Sequence, residues 1–273
     1  MFYVDEGTGD PTFVFVHGFS CCHEDWDLQR AYFRRTARVV TCDLRGHGRS
    51  AASGDTWTID ACASDVAGLL EELDIDDAVL VGHSMGSRVV LRCYLDVPHR
   101  VRALVFIDVS YVGGDGDQDS VESAPRDDVT DTSWDHFIRR TFDQMFVNSS
   151  PSDHRQRILE QALRTREEVG RGLFAEFFLW DARNMASALS QVRVPVLSLQ
   201  STVVDGGRVR RPMREGERTP WIDLLGRYLP TATIEVIPKV GHFSMLEAPD
   251  VVNASIASFA RRSGPGIGSL ERA

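Results

Sequence analysis

Ala78-Val79-Leu80-Val81-Gly82-His83-Ser84-Met85-Gly86-Ser87 is the stretch whose reading decides the fold. Four apolar residues run into Gly-x-Ser-x-Gly, and a helix-like segment over 88–97 follows at once. So abrupt a turn from strand to helix leaves space only for small side chains two before and two after the serine. The serine is then held at the tip, with its Oγ outward and its backbone N–H at a helix N-terminus, the arrangement of a nucleophile elbow.

Short apolar runs recur on either side of this turn. Residues 12–16, 38–42, 78–81, 103–107, 196–200 and 233–237 read as strands, with 2–6 as an extra edge strand. Continuous rather than alternating hydrophobicity suits a parallel sheet covered on both faces. Ile59, Cys62, Ala63, Val66, Leu69, Leu70 and Leu73 recur at helical spacing, and 249–262 reads as another helix, opened by Pro249. Strand alternating with helix implies right-handed crossovers and a doubly wound, mostly parallel α/β sheet. One interval breaks the rhythm. Residues 112–191 show no strand run; they open on a Gly- and Asp-rich loop to Asp131 and continue as helical patterns over 134–147, 152–166 and 173–189. The expected organisation is a core in two parts, 1–111 and 192–262, a helical cap inserted over 112–191, and a frayed tail over 263–273.

Composition bounds the function. The chain has 273 residues, 42% hydrophobic and 26% charged, as expected of a soluble globular enzyme. A formal net charge of −10 leaves no electrostatic footprint for nucleic acid. Residues 1–10 lack the basic and apolar regions of a signal peptide, and no apolar run approaches the roughly 18 residues of a membrane span. Five cysteines without a framework spacing read as free thiols in a reducing compartment, so the cytoplasm is the expected setting. No Cys/His group has zinc spacing, and Gly46-His47-Gly48 lacks the third glycine of a dinucleotide loop, so neither metal nor cofactor is expected.

A serine hydroxyl needs a base within hydrogen-bond reach before it can act as a nucleophile. His242, in Val240-Gly241-His242-Phe243, follows the last strand and precedes the last helix. A parallel sheet puts that loop on the same edge as Ser84. Negative charge on an attacked carbonyl needs two preorganised N–H donors. The N–H of Met85 is one candidate, and the N–H of Phe19, in the loop after strand 12–16, is the other.

Together, Phe15-Val16-His17-Gly18-Phe19, Asp43-Leu44-Arg45-Gly46-His47-Gly48-Arg49-Ser50, Gly82-His83-Ser84-Met85-Gly86 and Gly241-His242-Phe243 resemble the α/β-hydrolase fold in order and spacing. The resemblance implies that the His-Gly-x loop supplies an oxyanion donor and that Asp43, His47 and Ser50 are scaffold. It also implies a third member, a carboxylate that orients the base. In most of the family this acid follows a later strand in a Gly-x-x-Asp pattern; here Ser201 and Val204 stand at those places and Asp205 comes one residue late. Asp108, ending the strand after the elbow helix and 24 residues past Ser84, matches subsets that carry the acid earlier. Asp108 is taken as the acid, with Asp205 the alternative.

The implied activity is a serine hydrolase acting on small or medium carboxylic esters or lactones. Other reactions on the same triad stay open: carbon–carbon bond hydrolysis, perhydrolysis or a biosynthetic tailoring step. A non-enzymatic receptor is a more distant reading, and a serine elbow argues against haloalkane dehalogenase or epoxide hydrolase. Arg208, Arg210, Arg211, Arg214 and Arg218 read as a solvated basic loop, with a hold on a substrate carboxylate as the alternative. Cys21, Cys22 and Trp26 read as packing beside the oxyanion loop, and Phe174, Phe177, Phe178 and Trp180 as the roof of an apolar pocket.

Overall fold

The computed structural model describes residues 1–52, 56–111, 132–147, 152–204 and 209–264. Its centre is a seven-stranded sheet. The strands are β1 (Phe2–Glu6), β2 (Thr12–Val16), β3 (Arg38–Asp43), β4 (Ala78–His83), β5 (Val101–Ile107), β6 (Val196–Gln200) and β9 (Thr233–Val236), in the order β1-β3-β2-β4-β5-β6-β9. Only β1 runs antiparallel, against β3; every other pairing is parallel. All six residues of β4 are buried, which explains why its sequence is apolar without alternation.

Helices α1 (Asp27–Phe33), α2 (Ile59–Glu72), α3 (Met85–Asp96) and α9 (Pro249–Arg262) flank the sheet. The periodic residues of α2 face inward, and the Thr58 side chain caps it by accepting from the Ala61 N–H. Between β5 and β6 lie α4 (Trp134–Asp143), α5 (Ser152–Ala162) and α6 (Glu167–Ser190), and α6 packs on α2 and α3. Helix α6 begins six residues before the expected 173. Gly170 and Gly172 blur the helical pattern there, yet Gly170 lies where a Cβ would collide with the Trp134 ring, so the glycine permits the packing.

Three features were not expected from the sequence. Helix α7 (Pro220–Tyr228), capped by Thr219 and opened by Pro220, precedes β9. Strands β7 (Thr202–Val204) and β8 (Arg210–Pro212) form an antiparallel hairpin just beyond β6. A short α8 (Ser244–Glu247) lies between β9 and α9. Asp205, Arg208, the whole of the expected acidic loop and residues 265–273 of the expected tail fall outside the described residues. Among the described residues no helix is long and apolar enough to cross a membrane.

Candidate active site

The turn after β4 is as tight as the sequence requires. A Cβ on Gly82 would fall on the Gly86 carbonyl oxygen, and one on Gly86 would meet the Val16 and His17 carbonyls. Ser84 has φ 51° and ψ −114°, a left-handed conformation that non-glycine residues adopt at a cost of about 1–3 kcal/mol. Its N–H donates to Ile107 O at 2.9 Å, and helix α3 begins at Met85. From Ala78 to Leu91 every residue is buried except Ser84, which is partly exposed. Strain and exposure thus coincide at the one hydroxyl the motif presents.

Asp108 directly follows β5 on the same sheet edge, again at positive φ, 45°. Its carboxylate is buried and fully engaged. Oδ1 accepts from the backbone N–H groups of Ser201 and Thr202, both at 2.7 Å. Oδ2 accepts from the Thr202 hydroxyl at 2.5 Å and from His242 Nδ1 at 2.5 Å. Burial alone would raise the Asp108 carboxyl, but the His242 ring, Arg210 and the Thr202 hydroxyl outweigh it and hold it at about 2.

His242 is held from three sides. Its N–H donates to Met145 O at 2.7 Å, and its carbonyl accepts from His83 Nε2 at 3.0 Å. Phe243 stacks on Phe146 with centroids 5.0 Å apart. With Nδ1–H given to Asp108, Nε2 is the nitrogen left to accept a proton. Burial, and then the guanidinium of Arg210, hold the imidazole down to about 4 against the pull of Asp108.

The loop after β2 is braced by two histidines. His17 Nε2 accepts from the Leu44 N–H at 2.9 Å while Nδ1 donates to Gly18 O at 2.8 Å. His47 Nε2 accepts from the Ser20 N–H at 3.2 Å. Asp43 accepts from the N–H groups of His23 and Arg49, and the Ser50 hydroxyl donates to Asp43 O at 2.6 Å. The buried Phe19 ring meets Phe174 at 5.4 Å and Phe177 at 6.3 Å, both from α6. Trp180, by contrast, turns to α2, where its indole N–H donates to Asp60 at 3.3 Å. Cys21, Cys22 and Trp26 are buried, and all five cysteines are free.

Two arginines were not singled out as site residues from the sequence. Arg88, one turn into α3, is buried and pairs with Asp181 of α6 at 2.5 Å and 2.9 Å. It also donates to Ser84 O at 3.0 Å and to Ser110 O at 2.9 Å. A cation within Ser87-Arg88-Val89-Val90-Leu91 was the available signal. Arg210 corrects the reading of a solvated loop. It is half-buried, its side chain 12% exposed, donates to Thr202 Oγ1 at 2.6 Å and Ser110 Oγ at 2.8 Å, and lies 3.5 Å from Asp108 Oδ2. Arg211 and Arg218 do keep to the surface, paired with Glu217 and Asp223.

The family model described as the alpha/beta hydrolase family matches residues 13–255. The chain is 27% identical over 272 residues to the dihydrolipoyllysine-residue acetyltransferase component of the acetoin cleaving system from Pseudomonas putida, covering 94% of this chain and 65% of that protein. A bifunctional esterase/perhydrolase from Acinetobacter calcoaceticus is 44% identical over 89 residues, 32% of each chain. The chain therefore spans less than two thirds of the length of these relatives. A thermophilic esterase from Thermogutta terrifontis superposes with a TM-score of 0.76 at 22% identity, over 96% of this chain and 93% of that one, a likeness of fold.

Proposed function

The chain belongs to the alpha/beta hydrolase family, and on that premise we propose that it is a serine hydrolase of carboxylic esters or lactones. The observation that carries the reading is the 2.5 Å contact between Asp108 and His242 Nδ1, on the sheet edge where the strained Ser84 turn presents its hydroxyl. Ser84 Oγ attacks the acyl carbon as its proton passes to His242 Nε2. Asp108 holds the ring in the tautomer that can receive it and stabilises the imidazolium that results. The N–H groups of Met85 and Phe19 hold the developing oxyanion, each donor contributing on the order of 3 kcal/mol. His242 then returns the proton to the departing alkoxide. Water, deprotonated by the same nitrogen, attacks the acyl-enzyme and releases the carboxylic acid and free Ser84. The helices between β5 and β6 act as a cap, and Phe174 and Phe177, which touch Phe19, line the acyl side of its pocket.

The likeness to an esterase/perhydrolase favours a second acceptor, hydrogen peroxide in place of water, giving a peracid from the same acyl-enzyme. The test is hydrolysis of p-nitrophenyl acetate and butyrate, with and without peroxide, by wild type and Ser84→Ala. Turnover that falls about a million-fold in the variant supports the reading. Activity retained by Ser84→Ala overturns it.

A further inference from the structure

A guanidinium with little solvent around it, set against a buried histidine–carboxylate pair, has to be accounted for, because a poorly hydrated cation is costly unless compensated. Arg210 enters from β8, and the hairpin pairing of Val204 with Arg210 and of Thr202 with Pro212 fixes its place. Its Nη1 bonds Thr202 Oγ1 at 2.6 Å, lies 3.5 Å from Asp108 Oδ2 and 3.1 Å from His242 Nδ1. Its Nη2 bonds Ser110 Oγ at 2.8 Å, two residues beyond the acid. The Ser110 carbonyl accepts in turn from Arg88, which also holds Ser84 O.

We propose that Arg210 is a positioning residue of this centre: its guanidinium holds the Asp108 carboxylate and, added to burial, lowers the pH below which His242 stops serving as a base. With Nδ1–H donated to Asp108, the guanidinium cannot donate to Nδ1 and acts on the ring as a nearby positive charge. That charge disfavours the imidazolium and favours ionised Asp108. The other groups facing the ring are Asp108 from β5, which opposes Arg210, and His83 from β4, whose ring lies 4.5 Å away. Arg88 from α3 adds a weaker positive field, and Glu247 of α8 accepts from the Gly241 N–H at 2.9 Å beside it. Burial does most to keep the base neutral in mildly acidic surroundings, where an isolated histidine would already be protonated, and Arg210 adds to it.

The inference rests on the serine-hydrolase reading, and Ser84→Ala tests that reading separately. The experiment is the pH profile of kcat/KM on p-nitrophenyl butyrate for wild type, Arg210→Met and Arg210→Lys, with proton NMR titration of the His242 ring. Arg210→Met should move the acid limb upward by about one pH unit or more, a roughly tenfold relative loss on that limb. Arg210→Lys, which keeps the charge, should restore most of the wild-type profile. A uniform loss at every pH, with the limb unmoved, would mean that Arg210 only supports the fold and overturns the proposal. Should Arg210→Met not fold, Arg210→Gln, which drops the charge but keeps an amide donor, takes its place in the same titration. A His242 ring that titrates where it does in wild type overturns the proposal, and one raised by about one pH unit sustains it.

Discussion

Replacing Asp108 by asparagine changes one atom and reverses the chemistry at His242. Oδ1 accepts two backbone N–H bonds, from Ser201 and Thr202, both at 2.7 Å. The asparagine carbonyl must take that place, which puts the NH2 group where Oδ2 faced His242 Nδ1. Turning the amide over would set NH2 against two N–H donors and forfeit two hydrogen bonds, about 1 kcal/mol each. The imidazole therefore switches tautomer, accepting at Nδ1 and carrying its proton on Nε2, the nitrogen that has to take the Ser84 proton. A gap of about 2 kcal/mol leaves the useful tautomer roughly thirtyfold depleted. Loss of the negative charge beside the imidazolium adds the remainder, for about ten-thousand-fold in kcat, the scale seen for such a change in other serine hydrolases. The assay is kcat/KM on p-nitrophenyl butyrate for Asp108→Asn beside Asp205→Asn, with circular dichroism to verify folding. Asp108→Asn within tenfold of wild type, or a larger loss for Asp205→Asn, would refute the reasoning.

Asp181→Ala strands the buried Arg88 guanidinium, so it should cost about 3–5 kcal/mol in urea denaturation, and a loss below about 1 kcal/mol would refute that role. Acid should destabilise the fold early. His242 and His17 are buried with affinities held down to about 4 and about 3, and burial also lowers His47 and His83. The unfolded chain therefore takes up protons that the folded one refuses, and stability, complete above about pH 6.5, declines as pH falls toward 4. The urea midpoint followed from pH 7.5 to 4.5 checks this, and a flat profile would contradict it. Asp108, held at about 2, adds a further loss below about pH 4, where its unfolded form is already protonated.

Local rules were enough for much of the molecule. Strand 196–200 and helix 249–262 are found with the expected bounds, because a continuous apolar run and a proline at a first helical position act within a few residues. The Gly-x-Ser-x-Gly turn was equally legible, since Gly82 and Gly86 answer to sterics inside the turn and against the neighbouring strand. Strand order then put the Ser84 turn and the His242 loop on one sheet edge, a consequence of parallel topology rather than of any side chain.

What joins Asp108 to His242 is of another kind. The two lie 134 residues apart in sequence, and Asp108 could have been a plain strand end. Its partners, the N–H groups of Ser201 and Thr202, carry no sequence signal, because backbone donors are common to nearly every residue. Arg210 misled for a related reason. In sequence it is one of five arginines in an irregular stretch, and only the β7–β8 pairing separates it from Arg211 and turns it inward. Asp181 likewise reads as a polar residue on an amphipathic helix until α6 packs on α3 and brings it to Arg88. Periodicity and turn sterics are short-range and written in the chain; the electrostatic company of a buried charge is set by which distant elements pack together, and that was decided by the tertiary structure.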